Sequence, residues 1–460
     1  LLQYFLFLSF FFCLLSCDTN DPPPPDNGNG GDKPKPKITL TVDDTTPTEV
    51  WLNLITENIS LPDTLSLIRN NDTVKTIELF DSSFVIYEDS LLPSQSYTYQ
   101  VSSNKHQATS NQISAVTMDT TSHDFSWEIF EFGEHGNSVL RDVAIIDENN
   151  IWAVGAIYLK DSTGANDSKL YNAVHWDGSQ WNVQRITLNY NDRLITPAMH
   201  GIYAFSDNNI WTASGIPTHW DGEEWVQYHL YDMGVFTEND GSVYKIYGSS
   251  PNDIYFVGNK GSIAHYNGTS WRKIESPIGT GGTEMTLTDV HGRNSNEVYA
   301  GGVEVFESGI VLKGNSSGFS VYKNASYVSE SELFETLYAE LGTVWVDEKG
   351  TLYTGGSYLY WERRGEWNFV ESLPENYYQA NIGAPARGYI TRIRGNSSID
   401  YVIIGGRNTI QHYNGISWRQ IGMEYSPSNP IIWRGVEQKD DLIVAVGDKN
   451  NKAIIVKLKR

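Results

Sequence analysis

HWDGSQW, at residues 175–181, is the segment of this sequence that decides the fold, because it recurs along the chain. The other copies read HWDGEEW at 219–225, HYNGTSW at 265–271, HYNGISW at 412–418 and, more weakly, YWERRGEW at 360–367. An Asp-Gly or Asn-Gly pair between two short apolar runs is the strongest local signal for a two-residue hairpin turn, since both central residues of that turn take positive φ. We therefore predict that each copy is a hairpin between two strands.

The spacing of the copies predicts the architecture to which these hairpins belong. A hairpin that returns at intervals of about 45 residues is typical of a β-propeller, in which each blade is one four-stranded unit. Short runs that end in glycine, such as WAVG at 152–155 and YFVG at 255–258, each follow another apolar strand. The central apolar residues of those preceding strands are Val143, Ile202, Ile246, Val290, Val344, Ile393 and Val436. Seven such units predict seven blades.

The seventh unit lacks an outer strand of its own, since the chain ends at Arg460 directly after the run AIIVKL. The segment FSWEIFEF at 125–132 carries Trp127 where the other units have their outer aromatic residue. We predict that this segment pairs with the last strand, which closes the ring and removes a free sheet edge. The expected fold class is all-β, with a seven-bladed β-propeller over residues 121–460.

The composition agrees with this fold and argues against one class of partner. The chain has 14 Trp, 27 Tyr and 40 Gly, as expected for many short strands and tight turns. Its formal net charge is -23, so it has no means of releasing counterions from a phosphate backbone, and we expect no nucleic-acid partner. Phosphate-loop, nucleophile-elbow and dinucleotide-binding motifs are absent from the sequence, so we expect no cofactor, and we expect a monomer.

The N-terminal segment indicates export and anchoring. Residues 1–16 are almost wholly apolar, too short for a membrane span and long enough for the core of a signal peptide. The run LLSC at 14–17 resembles the bacterial lipobox, which implies that Cys17 is acylated and that the lipid bilayer is a partner. A plain cleaved signal peptide is the alternative. The resemblance implies an extracytoplasmic protein, anchored in the outer membrane or at the cell surface, with residues 17–37 as a Pro/Gly-rich linker.

A second domain is predicted between the linker and the repeats. From 38 to 118 the apolar residues alternate over seven short runs, which suits a small β-sandwich. The segment DSLLPSQSYTYQV at 89–101 resembles the fibronectin type III signature, with Leu92 and Pro93 in the turn and Tyr97 and Tyr99 in the following strand. The resemblance implies a buried aromatic residue on an early strand, which Trp51 fits. The expected role is that of a spacer or docking domain.

The repeated turns also resemble a known structural motif. They are similar to the Asp-box of sialidase-type propellers, although Asp177 and Gly178 are adjacent here whereas the Asp-box has a residue between them. The repeat is also similar in kind to the WD40 and YVTN repeats. Four histidines share one position in four different copies, so we predict that they belong to the scaffold and form no metal site. They are His175, His219, His265 and His412.

Function is expected where residues from the inner strands meet, and on the long connections that lead from each outer strand to the next inner strand. Loops on a rigid scaffold commonly carry binding sites. The candidate ligand-binding residues are Arg141, Asp142, His200, Tyr244, Lys245, Asp289, Arg392, Trp433 and Arg434. Aromatic candidates on the connections are Tyr190, Tyr231, Phe236, Tyr327, Tyr338, Tyr377, Tyr378 and Tyr425.

Two functions from different classes fit these residues. The leading hypothesis is a non-catalytic binding or scaffold module for a glycan or protein, with no catalytic residues. The alternative is a carbohydrate-active enzyme with its site at the mouth of the central channel of the propeller. Two carboxylates about 5–10 Å apart at that mouth would favour the enzyme. The loop DSTGAND at 161–167 is a weak calcium candidate, because Asp161 and Asp167 place oxygen ligands at close spacing. A solvated loop is its alternative interpretation, and no other metal site is expected.

Overall fold

The computed structural model describes residues 34–277, 285–304, 308–326, 337–338, 341–356, 358–369, 389–406, 408–422 and 430–460. Cys17, the predicted leader and the predicted linker as far as residue 33 lie outside the described residues. Contacts divide the chain into two compact units, one formed by residues up to Asp43 with Trp51–Ile86 and Tyr97–Ala115, and one formed by Asp44–Val50, Tyr87–Ser96 and Val116–Arg460. Within the described ranges, no helix has the length and apolar character needed to cross a membrane.

The N-terminal strands form two sheets. One sheet contains β1 (Lys37–Thr45), β2 (Val50–Glu57) and β5 (Ser83–Glu88). The other contains β3 (Asp63–Arg69), β4 (Asp72–Leu79), β6 (Ser96–Ser103), β7 (Ala108–Thr109) and β8 (Ile113–Val116). Alternate residues are buried, such as Leu52 and Leu54 on β2. Trp51 therefore falls on the other face of β2 and is only half-buried, so the prediction of a buried Trp51 is wrong, whereas Tyr99 is fully buried.

Among the described residues, seven further sheets contain four antiparallel strands each. Six of them use strands that are consecutive in the chain, the seventh includes the earlier strand β9, and the fourth has a fifth strand that pairs in parallel. The first has β10 (Val139–Asp147), β11 (Asn150–Ile157), β12 (Tyr171–Trp176) and β13 (Trp181–Gln184). The second has β16 (Gly201–Ser206), β17 (Asn209–Ala213), β18 (Pro217–Trp220) and β19 (Trp225–Gln227), after the small hairpin of β14 (Leu188–Tyr190) and β15 (Arg193–Ile195). The third has β20 (Val243–Ser250), β21 (Asp253–Gly258), β22 (Ile263–Tyr266) and β23 (Trp271–Ile274), with a 3-10 turn at Asn259–Gly261.

The remaining sheets repeat this order. The fourth has β24 (Thr286–Asn294), β25 (Glu297–Glu304), β26 (Ser308–Asn315), β27 (Gly318–Ser326) and the added strand β28 (Leu337–Tyr338). The fifth has β29 (Leu341–Val346), β30 (Leu352–Gly356), β31 (Leu359–Arg363) and β32 (Glu366–Phe369). The sixth has β33 (Ile390–Ser397), β34 (Asp400–Gly405), β35 (Ile410–Tyr413) and β36 (Trp418–Gln420). The seventh has β37 (Ile432–Lys439), β38 (Leu442–Lys449), β39 (Lys452–Lys459) and β9 (Ser126–Phe132).

The pairing of β9 with β39 confirms the predicted origin of the last outer strand. The register joins Ser126 to Lys459 and Phe132 to Ala453, with Trp127 opposite Leu458. Both edges of β39 are therefore occupied, since β38 pairs along its other side. The chain is all-β, and its four-stranded sheets fit the blades of a propeller.

The apolar core of the repeats lies between neighbouring sheets. Each of seven clusters of buried side chains in the described residues combines two successive sheets, and one of them joins Leu140 and Ile151 of the first sheet to Val444 and Ile455 of the seventh. The first strand of each sheet also contacts the first strand of the next, and β37 contacts β10. Each sheet is thus buried on both faces, which explains the near-continuous apolar runs of the middle strands.

Four of the five repeated hairpins differ from the predicted two-residue turn, whereas the weak copy confirms it, since Arg363 pairs with Glu366 and both Arg364 and Gly365 have positive φ. In the first copy Trp176 pairs with Trp181, so the loop has the four residues 177–180 and only Gly178, at φ 90°, has positive φ. Asp177 instead accepts hydrogen bonds from the backbone N–H groups of Ser179 and Gln180, at 2.9 Å each. The Asp or Asn is therefore selected as an acceptor that closes the loop, and not for its own φ.

Candidate functional site

A β-bulge lies at the start of the first strand in six of the seven sheets. Each bulge leaves one residue without a partner in the neighbouring strand and changes the direction of its side chain. The extra residues are Arg141, Tyr244, Thr288, Gly342, Thr391 and Arg434, and His200 holds the equivalent place before the first strand of the second sheet. We call these seven residues the pocket layer.

The next residue of each strand belongs to a second set, which we call the ion-pair layer. Its members are Asp142, Gly201, Lys245, Asp289, Thr343, Arg392 and Gly435. Both layers stand at fixed offsets from the central apolar residue of each strand, two positions before it for the pocket layer and one for the ion-pair layer. The repeat that builds the core therefore also positions these side chains together.

Most of the pocket layer lines one cavity. The cavity has a volume of about 270 Å³, and its lining residues come from five of the seven inner strands and from His200. They are Arg141, His200, Tyr244, Lys245, Thr286, Leu287, Thr288, Thr391, Arg392, Trp433 and Arg434. Four of these side chains are cationic and none is a carboxylate. In a chain with a formal net charge of -23, this is a localised positive site.

Below the cavity, carboxylates of the ion-pair layer hold part of this charge. Lys245 Nζ lies 2.9 Å from Asp142 Oδ2 and donates to the carbonyl oxygen of His200 at 3.0 Å. The pair joins the first and third sheets. A Cβ at Gly201 would lie 2.1 Å from the carbonyl oxygen of Tyr244, so the absence of a side chain at Gly201 allows the first strands of the second and third sheets to approach closely here.

Asp289 is the centre of the other half of the ion-pair layer. It pairs with Arg392 and with Arg394, whose Nη2 lies 2.9 Å from Oδ1, and it accepts the hydroxyl of Thr343 at 2.6 Å. The backbone N–H of Val344 donates to the same carboxylate at 3.1 Å. A buried carboxylate with this many donors fixes the positions of both arginines.

Burial and neighbouring positive charges shift the pKa values of the residues in this region. Burial lowers the pKa of Lys245 to about 8, and Arg392 lowers it further, while Asp142 acts in the opposite direction. Burial lowers the pKa of His200 to about 4, with Arg141 and Lys245 adding to the effect, so the imidazole is neutral at pH 7. Burial alone would raise the pKa of Asp289, but Arg392 and Arg394 outweigh it and hold it well below its usual range.

One carboxyl group behaves differently from the others. Glu437 lies deeper on β37, and burial raises its pKa to about 7 although Arg394 opposes the change. Asp142 adds to the increase. Glu437 is therefore a group that changes its charge close to neutral pH.

Seven of the nine sequence-predicted ligand-binding residues line the cavity, and Asp142 and Asp289 lie in the layer below it as ion-pair partners. The sequence interpretation missed Thr286, Leu287, Thr288 and Thr391, which also line the cavity. A signal for two of them was present, because Thr288 and Thr391 occupy the same offset from their central apolar residues as Arg141 does.

The aromatic candidates divide into exposed and buried rings. Tyr190 and Tyr231 are exposed, at 48% and 43%, whereas Phe236 and Trp433 are buried. Trp433 thus forms part of the cavity wall with little free surface. The structure does not describe the side chains of the remaining candidates, which are Tyr327, Tyr338, Tyr377, Tyr378 and Tyr425.

The four repeated histidines have structural partners, each within its own sheet. His175 Nε2 lies 3.0 Å from Asn150 Oδ1, and His219 Nε2 lies 3.0 Å from Asn209 Oδ1. His265 and His412 make the same contact with aspartates at the equivalent positions. The rings of Trp152 and His175 stack at a centroid distance of 4.3 Å. These contacts connect the second and third strands of a sheet.

The weak calcium candidate is a loop closed by its own hydrogen bonds. Asp161 Oδ1 accepts from the N–H groups of Thr163 and Ala165, at 2.8 and 3.1 Å, and Asp167 pairs with Arg185. In the part of the chain that the structure describes, no group of three or more His, Cys, Asp or Glu side chains is arranged to hold a metal ion.

Comparison with known proteins gives similarities of fold only. No protein-family model and no curated protein matches the chain. Among solved structures, YCF48 bound to D1 peptide is 16% identical, with 73% of this chain and 97% of that chain covered and a TM-score of 0.49. The WD40 β-propeller domain of Doa1 is 10% identical, with 73% and 98% covered and a TM-score of 0.45. The SapL1 lectin in complex with alpha methyl fucoside is 11% identical, with 68% and 90% covered and a TM-score of 0.32.

Proposed function

We propose that the chain is an extracytoplasmic lipoprotein whose repeats form a seven-bladed propeller that binds a glycan or protein ligand without catalysis. The cavity lined by most of the pocket layer, called the axial cavity below, is the observation that supports binding most directly. Four cationic side chains and three threonines converge there from different sheets, on strands whose positions the core fixes. Convergent polar groups in a preformed cavity are typical of a ligand site.

The seven-bladed arrangement is supported by cyclic contacts. The inner strands contact one another in chain order, the first and seventh sheets share an apolar cluster, and β9 completes the seventh sheet. The N-terminal sheets, with Tyr99 buried, suit the proposed fibronectin type III-like domain. In this proposal, that domain serves as a spacer or docking domain.

The enzymatic alternative requires a pair of carboxyl groups facing the substrate. Among the described residues that line the cavity there is no Asp or Glu, and Asp142 and Asp289 are held in ion pairs beneath it. A two-carboxylate glycosidase mechanism therefore has no pair of carboxyl groups on the described cavity lining. The lining therefore favours binding without turnover.

A screen on glycan and peptide arrays, with hydrolysis of every bound glycan measured in parallel, tests this function. We expect binding without turnover, and we expect Arg141→Gln to weaken it because Arg141 lines the cavity. The matched control is Arg419→Gln, since the Arg419 side chain is 62% exposed on β36 and pairs with the exposed Asp124. Turnover, or binding that Arg141→Gln leaves unchanged, would contradict the proposal.

Anchoring is tested separately on the exported full-length protein. If Cys17 is acylated, Cys17→Ser should move the protein from the membrane fraction to the soluble fraction. Cys13→Ser is the matched control and should leave the protein in the membrane fraction. Membrane retention of Cys17→Ser would contradict the lipid anchor and would leave the binding proposal unaffected.

A further inference from the structure

We propose that the axial cavity recognises one carboxylate-bearing sugar residue, of the uronic-acid type, in a glycan ligand. This inference rests on the proposed binding function and specifies its ligand class. It follows from two features of the cavity, namely an arginine without a carboxylate partner among the described residues and the orientation of the threonine hydroxyls.

One arginine of the lining has no carboxylate partner among the described residues. Arg392 is 3% exposed and is paired with Asp289 through Nη1, and Arg434 is paired with Asp448. Arg141 lines the cavity and, within the described ranges, has no carboxylate within ion-pair distance. A carboxylate in the cavity would supply the counter-charge that Arg141 lacks. A carboxylate is the acceptor that guanidinium groups bind best.

The threonines present acceptors to the cavity. Thr288 Oγ1 donates its proton to the carbonyl oxygen of Gly342 at 2.8 Å, and Thr391 Oγ1 donates to that of Trp433 at 3.0 Å. With their protons committed to the backbone, both oxygens retain lone pairs for a donor in the cavity. The hydroxyl groups of a sugar are such donors. The combination of a carboxylate site and hydroxyl acceptors matches an acidic sugar.

A peptide fits this lining less well. Peptide side chains are commonly anchored by apolar surface, but Leu287 and Trp433, the large apolar residues of the lining, are each 1% exposed. A polyanion is also disfavoured, because the chain carries a formal net charge of -23 and the positive charge is confined to the cavity. A single acidic sugar, at a cavity volume of about 270 Å³, satisfies both conditions.

The test uses full-length protein and pairs of glycans that differ in one group. Each pair consists of a uronic-acid-terminated glycan and the same glycan with its carboxylate reduced to the alcohol, and a library of acidic peptides is measured beside them. Affinity is obtained by titration calorimetry for the unmodified protein, Arg141→Gln and the control Arg419→Gln. We expect reduction of the carboxylate and Arg141→Gln each to weaken binding by about tenfold or more, and Arg419→Gln to have no effect.

A second variant keeps the test valid if the charge change disturbs folding. Arg141→Lys retains the charge but has no planar pair of donors, so it should bind more weakly than the unmodified protein while discriminating between the paired glycans. Equal binding of acid and alcohol would refute the carboxylate site while leaving a glycan-binding function intact. Binding of a peptide that Arg141→Gln abolishes would also refute the acidic sugar and keep the cavity as a protein site. No binding of any probe would refute both.

Discussion

The outer hairpins and the starts of the inner strands belong to the same repeat but differ in how far their residues vary from sheet to sheet. At the hairpins, one contact recurs, in which a histidine on the third strand meets an Asn or Asp at the start of the second strand, as in His175 with Asn150 and His412 with Asp400. In the pocket layer, each sheet contributes a different side chain, among them Arg141, Tyr244 and Thr391. Residues that repeat serve each sheet, whereas residues that differ at a repeated position serve a site that the sheets share.

The largest expected effect is on the hairpin side of this comparison. Asp400 is buried and accepts hydrogen bonds from His412 at 2.7 Å, Gln438 at 3.0 Å and Arg460 at 2.8 Å. Asp400→Ala leaves these donors unpaired, so we expect it to lower the free energy of unfolding by about 3–5 kcal/mol. Urea unfolding measures the loss.

The ligand affinity of the folded fraction should stay the same in Asp400→Ala. Asn150→Ala is the matched control, because it removes the equivalent acceptor of His175 in the first sheet, where the contact is between neutral groups. We expect its destabilisation to be smaller, about 1 kcal/mol. An effect as large as that of Asp400→Ala would show that the buried charge is not the cause.

The second effect is a pH dependence of stability from Glu437. Its pKa is raised from 4.5 to about 7 in the folded protein, mainly by burial, with Asp142 adding to the effect and Arg394 opposing it. The stabilising contribution of protonated Glu437 is complete below pH 4.5 and is lost as the pH rises through 7. We therefore expect Glu437→Gln to stabilise the protein at pH 8 by up to about 3 kcal/mol.

Thermal unfolding of Glu437→Gln and of the unmodified protein between pH 4.5 and 8.5 measures this difference. The gain should shrink towards pH 4.5, where both side chains are neutral. Arg392 and Asp289 also act on Glu437, so the unmodified protein and the variant are compared at every pH. A gain that does not change with pH would contradict the assignment.

The third effect is on binding and comes from the pocket itself. Lys245 lines the cavity and has a pKa of about 8, lowered chiefly by burial. Because its positive charge is lost above that pH, the affinity for an acidic glycan should fall about tenfold between pH 7 and 9. Lys245→Met removes the titrating group and should bind weakly with a flatter pH profile. A profile that is equally steep in Lys245→Met would assign the effect to another group.

The smallest expected effect is a loss of stability at the first hairpin. It tests whether the side chain of Asp177 closes a four-residue loop, in place of the predicted two-residue turn. Asp177→Ala removes the acceptor of Ser179 and Gln180 but no charge partner, so we expect a loss of about 1 kcal/mol in stability and no change in affinity. Asp177→Asn retains the acceptor and should lose less. Equal losses in the two variants would show that the carboxylate charge, and not the acceptor, stabilises the loop.

The parts of the fold that the sequence predicted are the periodic ones. Hairpins, strand order and the pairing of β9 with β39 follow from apolar and turn positions that recur. The turn geometry was mispredicted because Asp-Gly suits a two-residue turn as well as a loop closed by the Asp177 side chain. Trp51 was mispredicted because an aromatic residue on a strand fits either face, and the alternation set by Leu52 and Leu54 decides which one.

The charged residues of the site could be predicted from the sequence. The threonines that a register shift between two strands places in the cavity were not predicted. Arg141, Arg392 and Arg434 were found because arginines on otherwise apolar inner strands are conspicuous. Thr288 and Thr391 share the offset of Arg141 but were missed, because a threonine does not stand out on a strand and the bulge that makes this offset special is a property of two paired strands. The pairing of Lys245 with Asp142 also required the structure, since the two residues belong to sheets that are not consecutive in the chain.

The bulges allow residues that line the cavity to change without changing the strand pairing. Each extra residue stands outside the ladder of its strand, so its replacement leaves the backbone hydrogen bonds of that ladder as they were. Recognition and folding are thereby assigned to different positions of one short segment. A gene with this layout can vary its ligand preference one codon per sheet, and a library that randomises the pocket-layer codons alone would sample new ligands on an unchanged scaffold.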